Sequence, residues 1–208
     1  MFKGIIFDFD GVISDSVEIK SDAFAKLFYP YGSDIVKKIV AHHKTNGGMS
    51  RYEKIKIYHE VYLNKHISEI EISNLADQFS NLVLRKVIDA PYIKGVLKYI
   101  QENYKKCKLF ISTGTPTSEI NTILEAKKID KYFTDVFGSP EEKTGHLKMI
   151  LTKYNFEPNE LIFYGDSNSD INAANNLRIP FVLISNKSNK KLVKDYKGTI
   201  IDNFIGLL

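Results

Sequence analysis

The chain has 208 residues, 43% of them hydrophobic and 26% charged. That is enough for one good core, or for one domain carrying a smaller insertion. The net charge of +4 is mild and the lysines are spread along the chain rather than gathered in one block, which argues against nucleic acid as partner; no apolar run reaches the ~20 residues of a membrane span.

The first apolar run, GIIFDF at residues 4–9, reads as a buried strand interrupted by Asp8 and continued by Asp10. Residues 16–89 then hold helical patterns and no convincing strand. The clearest pattern is Ile72, Leu75, Ala76, Phe79, Leu82, Val83 and Val87 on one face. ISDS before this stretch and DAPYIKG after it read as two linkers. Four more apolar runs follow: KLFIST, TDVFG, LIFYGD and FVLIS. Helical patterns separate them: residues 94–104, then PTSEINTILEAKKI with Pro116 in the first turn, then TGHLKMILTKYN and DINAANNL. Continuous apolar strands alternating with helices predict an α/β fold, a parallel sheet with helices on both faces. Its catalytic core would comprise residues 1–15 and 90–208, with an all-helical unit, 16–89, inserted after the first strand. The single cysteine, Cys107, permits no internal disulfide and reads as a small core residue in a reducing compartment. No signal-peptide pattern opens the chain, so a cytoplasmic location is expected.

Ligands of open α/β sheets sit beyond the carboxyl ends of the strands. There the sequence gathers Asp8 and Asp10, then Ser112, Thr113 and Gly114, then Lys143, then Asp166 and Asp170. Several carboxylates at one spot stay ionised only with something positive among them, and Mg²⁺ suits oxygen donors and phosphate. The hydroxyl of Thr113 (or of Ser112), the backbone N–H of Gly114 and the charge of Lys143 suit a phosphate. Gly11 eases the turn after the strand, so that Asp8 can aim at phosphorus while Asp10 reaches the leaving or attacking oxygen.

DFDGV, STG, Lys143 and GDSNSD resemble, in order, the four motifs of the haloacid dehalogenase-like superfamily. The resemblance implies a Rossmann-like core, Asp8 as nucleophile and Asp10 as general acid/base. It implies Mg²⁺ held by Asp8, the carbonyl of Asp10 and Asp166, with Asp170 nearby, and a transferred phosphoryl bound by Thr113 and Lys143. The acid at the second motif position favours phosphoryl transfer over dehalogenation or phosphonate cleavage. The insertion is similar to the helical cap of the β-phosphoglucomutase and phosphoglycolate phosphatase subgroup. Gly48, Ser50 and Arg51 in NGGMSRYEK match its substrate-gripping loop, so Arg51 would fork onto a second phosphate or a carboxylate. Lys20 stands where the mutases carry a histidine, which favours a phosphatase acting on a small phosphorylated metabolite, such as a sugar phosphate or a phosphoglycolate-like acid. A sugar phosphomutase is the alternative, and a receiver-type phosphoacceptor module the alternative of another class. A monomer is expected.

Blander readings stand beside these. Asp8 and Asp10 would be a solvated strand end. Lys143 would be an ordinary helix-start residue, or paired with Glu141 or Glu142. Arg51 would be a surface residue paired with Glu53 or other helix neighbours. Asp170 would serve its helix N-terminus. His42, His43, His59, His66 and His146 would be surface or core residues with no zinc site.

Overall fold

The structure, a computed structural model, describes residues 2–207. Its centre is a six-stranded sheet in the order β3-β2-β1-β4-β5-β6. The strands are β1 (Gly4–Phe7), β2 (Lys108–Pro116), β3 (Asp135–Ser139), β4 (Leu161–Gly165), β5 (Phe181–Ile184) and β6 (Thr199–Ile201), and every pairing is parallel. The first five match the apolar runs of the sequence; β6 has no counterpart among them. Strand alternation sends successive side chains to opposite faces. Ile5, Phe7, Leu109, Ile111 and Tyr164 join one hydrophobic cluster; Ile6, Phe110, Leu161 and Phe163 join the other.

Four helices make up the block that follows β1: α1 (Val17–Leu27), α2 (Ser33–Thr45), α3 (Arg51–Ile57) and α4 (Glu69–Asp89). Five follow: α5 (Val96–Asn103), α6 (Thr117–Ala126), α7 (Lys143–Tyr154), α8 (Asn168–Leu177) and α9 (Lys190–Asp195). Helices α5 and α6 bury Val96, Ile100, Ile120 and Ile123 on the first sheet face; α7 and α8 bury Leu147, Ile150, Ala173 and Ala174 on the second. The fold is therefore α/β with helices on both faces. Pro116 ends β2 as the residue preceding α6 rather than opening the helix.

Residues 17–89 contain no strand. Their apolar faces close on one another through Phe24, Phe28, Ile39, Ile55, Tyr58 and Phe79, all at most 1% exposed. The two crossings to the sheet run side by side: Asp15 N–H donates to Pro91 C=O at 2.9 Å and Ile93 N–H to Ile13 C=O at 3.0 Å. Helix α3 starts on Ser50, whose hydroxyl accepts from Glu53 N–H; α4 starts on a Ser68–Glu71 capping box. No helix among the described residues is long and apolar enough to cross a membrane.

Candidate active site

The carboxyl ends of β1, β2 and β4 bring the motif residues together. Asp8 follows β1 directly, is 3% exposed, and has its backbone N–H on Tyr164 C=O of β4. A solvated strand end is thereby excluded. Lys143, the first residue of α7, reaches across to Asp8 Oδ2 at 2.6 Å and also pairs with Asp170. Its side chain is 3% exposed and pairs with neither Glu141 nor Glu142; Lys143 does start a helix, but its charge is turned into the acidic cluster rather than left on the surface.

Asp8, Asp166 and Asp170 are all buried, and each offers an oxygen within 4.8 Å of the others. Burial raises the Asp8 carboxyl above its ordinary value; Lys143 opposes this, and Asp170 and Asp10 add to it. Burial, then the charges of Asp8 and Asp170, push Asp166 well up. A divalent cation among these oxygens relieves both penalties, and the all-oxygen donor set is the one Mg²⁺ takes. Gly11, at φ 78, completes the cradle, because a Cβ there would run into the Asp166 carboxylate. Asp170 also caps α8, since its Oδ2 accepts from the N–H groups of Asp166 and Ser167 and from the Ser167 hydroxyl. The helix-acid reading of Asp170 and its place in the cluster thus hold together.

Asp10 lies off the cluster and is gripped separately. Lys20 of α1 pairs with its Oδ2, the Ser16 hydroxyl donates to Oδ1 at 2.6 Å, and the Thr115 hydroxyl donates to Oδ2 at 3.2 Å. Lys20 also donates to Thr115 Oγ1 at 2.7 Å. Burial alone would raise the Asp10 carboxyl, but Lys20 and these hydrogen bonds bring it below its ordinary value. Sequence reasoning misses Thr115, although it stands one residue past STG, and notices Lys20 only as a departure from the mutase pattern.

Thr113 is buried and lines the central cavity with Gly114. The neighbouring Ser112 hydroxyl is 3.0 Å from His146 Nδ1. That contact occupies Ser112 and leaves Thr113 as the hydroxyl facing the cavity. His146 sits on α7, and burial, then the charge of Lys143, lower its pKa to about 4.

From the helical unit, residues 47–50 descend onto this site. A Cβ on Gly48 would meet Lys143 Nζ at 2.8 Å, and one on Gly114 would meet Gly48 C=O at 2.6 Å. The two glycines therefore let backbone pack on backbone. The Ser50 hydroxyl is spent on its helix cap. Arg51 is 4% exposed and does not pair with Glu53; its guanidinium lies over the Phe79 ring, also donates to the Ser80 hydroxyl, and forks onto Glu119 of α6 at 2.5 and 2.7 Å. The surface reading of Arg51 is corrected by this burial. Glu119 does not stand out in the sequence, where it reads as an ordinary first-turn acid. Of the five histidines, His43 and His59 are buried as well as His146, and none lies in the acidic cluster.

What the helices enclose over Asp8, Asp10 and Thr113 is a cavity of about 30 Å³, lined also by Lys20, His43, Arg51, Lys54 and Phe79. Beside it opens a larger space of about 540 Å³, whose walls include Thr113, Gly114, Lys143 and Tyr52.

A parallel sheet carrying buried acids, a lysine and a hydroxyl at its strand ends, with a block of helices packed beside them, is the layout of a Rossmann-like hydrolase. Residues 5–184 match the haloacid dehalogenase-like hydrolase family, to which the chain belongs. Among curated relatives, the phosphorylated carbohydrates phosphatase of Thermotoga maritima is 23% identical, over 83% of this chain and 80% of its own length. The phosphoglycolate phosphatase of Haemophilus influenzae is 25% identical, over 83% and 81%. Among solved structures, the β-phosphoglucomutase of Clostridium difficile superposes with a TM-score of 0.77 over 98% of this chain and 92% of its own, at 24% identity, a likeness of fold.

Proposed function

We propose that the protein is a phosphatase that hydrolyses a small phosphorylated metabolite through a phosphoryl group carried on Asp8. It is a phosphoric monoester hydrolase, and the names of its phosphatase relatives support a phosphorylated carbohydrate or phosphoglycolate as the kind of substrate. The observation that carries the reading is the convergence of Asp8, Lys143, Asp166 and Asp170, from separate stretches of chain, within hydrogen-bonding or metal-sharing reach.

In this reading Asp8, Asp166 and the backbone carbonyl of Asp10 would hold Mg²⁺, with Asp170 beside them, and the metal would supply charge neutralisation for the transferring phosphoryl. The Asp8 carboxylate attacks phosphorus, forming an acyl-phosphate and expelling the alkoxide. Asp10 protonates that leaving oxygen, then takes a proton from the water that hydrolyses the acyl-phosphate. Lys143, Thr113 Oγ1 and the Gly114 N–H bind the phosphoryl oxygens. Helices α1–α4, residues 16–89, act as a cap that keeps bulk water from the reacting centre, with Gly48 and Ser50 in the loop that closes on it and Arg51 opening the helix that follows.

The decisive experiment is phosphate release from a panel of phosphorylated metabolites with Mg²⁺, comparing the wild type with Asp8→Asn. Release by the wild type and a loss on the order of 10⁴-fold in the variant are expected. Undiminished release by Asp8→Asn would remove Asp8 as nucleophile.

A further inference from the structure

Four cations are buried around the central cavity, and three of them are matched. Lys20 holds Asp10, Arg51 holds Glu119, and Lys143 holds Asp8 and Asp170. The fourth, Lys54 of α3, is 2% exposed and has no carboxylate partner among the described residues. Its ammonium donates to Gly47 C=O at 3.2 Å and lies 3.0 Å from Nδ1 of His43 on α2. A buried ammonium without a counter-charge is costly. Burial first, then the like charge of Lys20, lower its pKa from 10.5 to about 7.

His43 is 3% exposed and presents a second unmet group, since its Nε2 has no hydrogen-bond partner. With Nδ1 accepting from the ammonium, Nε2 carries the ring proton and is a donor without an acceptor. Both side chains line the cavity that Asp8, Asp10 and Thr113 also line. Much of the remaining wall there is apolar, from Val17, Phe24, Met49 and Phe79. An uncompensated charge and an unpartnered N–H, side by side on the cavity wall, call for an anionic acceptor that arrives with the ligand.

We propose that Lys54 and His43 form the specificity-determining subsite of this enzyme, receiving an anionic group (a carboxylate or a second phosphate) on the substrate's end away from the phosphoryl that Asp8 attacks. The proposal rests on the phosphatase reading above and narrows it to phosphomonoesters with a second negative group. Arg51 is not the free cation of the wall, because Glu119 already takes up its fork; Lys54 is. A bound anion supplies the counter-charge that Lys54 lacks and the acceptor that His43 Nε2 lacks.

Three matched compounds test it: 2-hydroxyethyl phosphate, 2-phosphoglycolate and 1,2-ethanediol bisphosphate. They differ only in the group at the far end, and the last two separate carboxylate from phosphate. The wild type, with Mg²⁺, is expected to favour at least one anionic compound over the neutral one in kcat/KM. Lys54→Met is expected to cut that preference by about 30-fold, the scale of one charge-assisted hydrogen bond. Lys54→Arg restores part of it, and His43→Phe weakens it less. Calorimetric titration of the same compounds into Asp8→Asn reads the preference without turnover. A preference in binding with no turnover of any compound by the wild type would sink the phosphatase reading and leave the subsite standing. No preference for either anion, a preference untouched by Lys54→Met, or equal losses on all three compounds would overturn the subsite.

Discussion

Asp10 is held by three partners at once, and each has a different origin: Ser16 from the crossing into the helices, Lys20 from α1, Thr115 from β2. Removing Lys20 leaves Asp10 without its ion pair and its carboxyl free to rise toward the ordinary value. Lys20→Met is therefore expected to lower kcat by roughly 10²-fold, to move the acid limb of the pH–rate profile upward, and to leave KM for an aryl phosphate within a few-fold of wild type. An unchanged profile in steady-state kinetics would show that Lys20 does not set the Asp10 carboxyl. At this scale the motif acids and Lys143 are legible in the sequence, because they stand in register at strand ends. Lys20, Lys54, His43 and Glu119 are not. Each lies on a helix in a pattern that surface residues also follow, and only the packing of helix on sheet turns it inward.

Helix α3 is tied to α6 by a single buried ion pair, Arg51–Glu119, joining residues 68 positions apart. Arg51 and its hydrogen bonds hold the Glu119 carboxyl below its ordinary 4.5, against burial, which alone would raise it. A lowered carboxyl stabilises the fold above its unfolded-state value, and that contribution is lost as pH falls through the folded value. Glu119→Gln is thus expected to cost about 3 kcal/mol at pH 7, because it leaves Arg51 buried and unmatched. The difference from wild type should shrink below pH 4.5 in denaturant titrations repeated across pH. A constant difference at every pH would mean that the loss is one of packing alone. Elements themselves are readable where an apolar period runs long enough: five strands, α4 and the helices on both sheet faces. β6 escapes because Thr199–Ile201 is three residues long and half-polar around its edge, with Thr199 and Ile200 exposed. The junction at Pro116 falls between two rules, since proline both ends strands and precedes helices.

Across the whole molecule the acidic cluster is a standing cost of the fold that a bound cation would remove. Mg²⁺ at about a hundred times its Kd should raise Tm by roughly 5–10 °C. Asp166→Asn should abolish most of that rise, and a chelator should reverse it in the wild type; a shift of equal size in the variant would place the ion elsewhere. The cavity of about 30 Å³ over Asp8 holds little more than a water. On the proposed function, the helices α1–α4 must shift for a phosphorylated metabolite to fill the space over Asp8. The general layout, a sheet with one interrupting block of helices, is legible because the strand–helix alternation stops at Ser16 and resumes near Asp89. How tightly the block sits on the sheet is not, since that depends on contacts such as Gly48 against Gly114, where the signal is the lack of a side chain. The paired crossings, Asp15 to Pro91 and Ile13 to Ile93, add one thing more. Because both threads pass through a single doorway, the helices form a cassette with one seam, and a cassette from another family member spliced at that seam should leave the sheet and its acids intact while exchanging the molecule's taste in substrates.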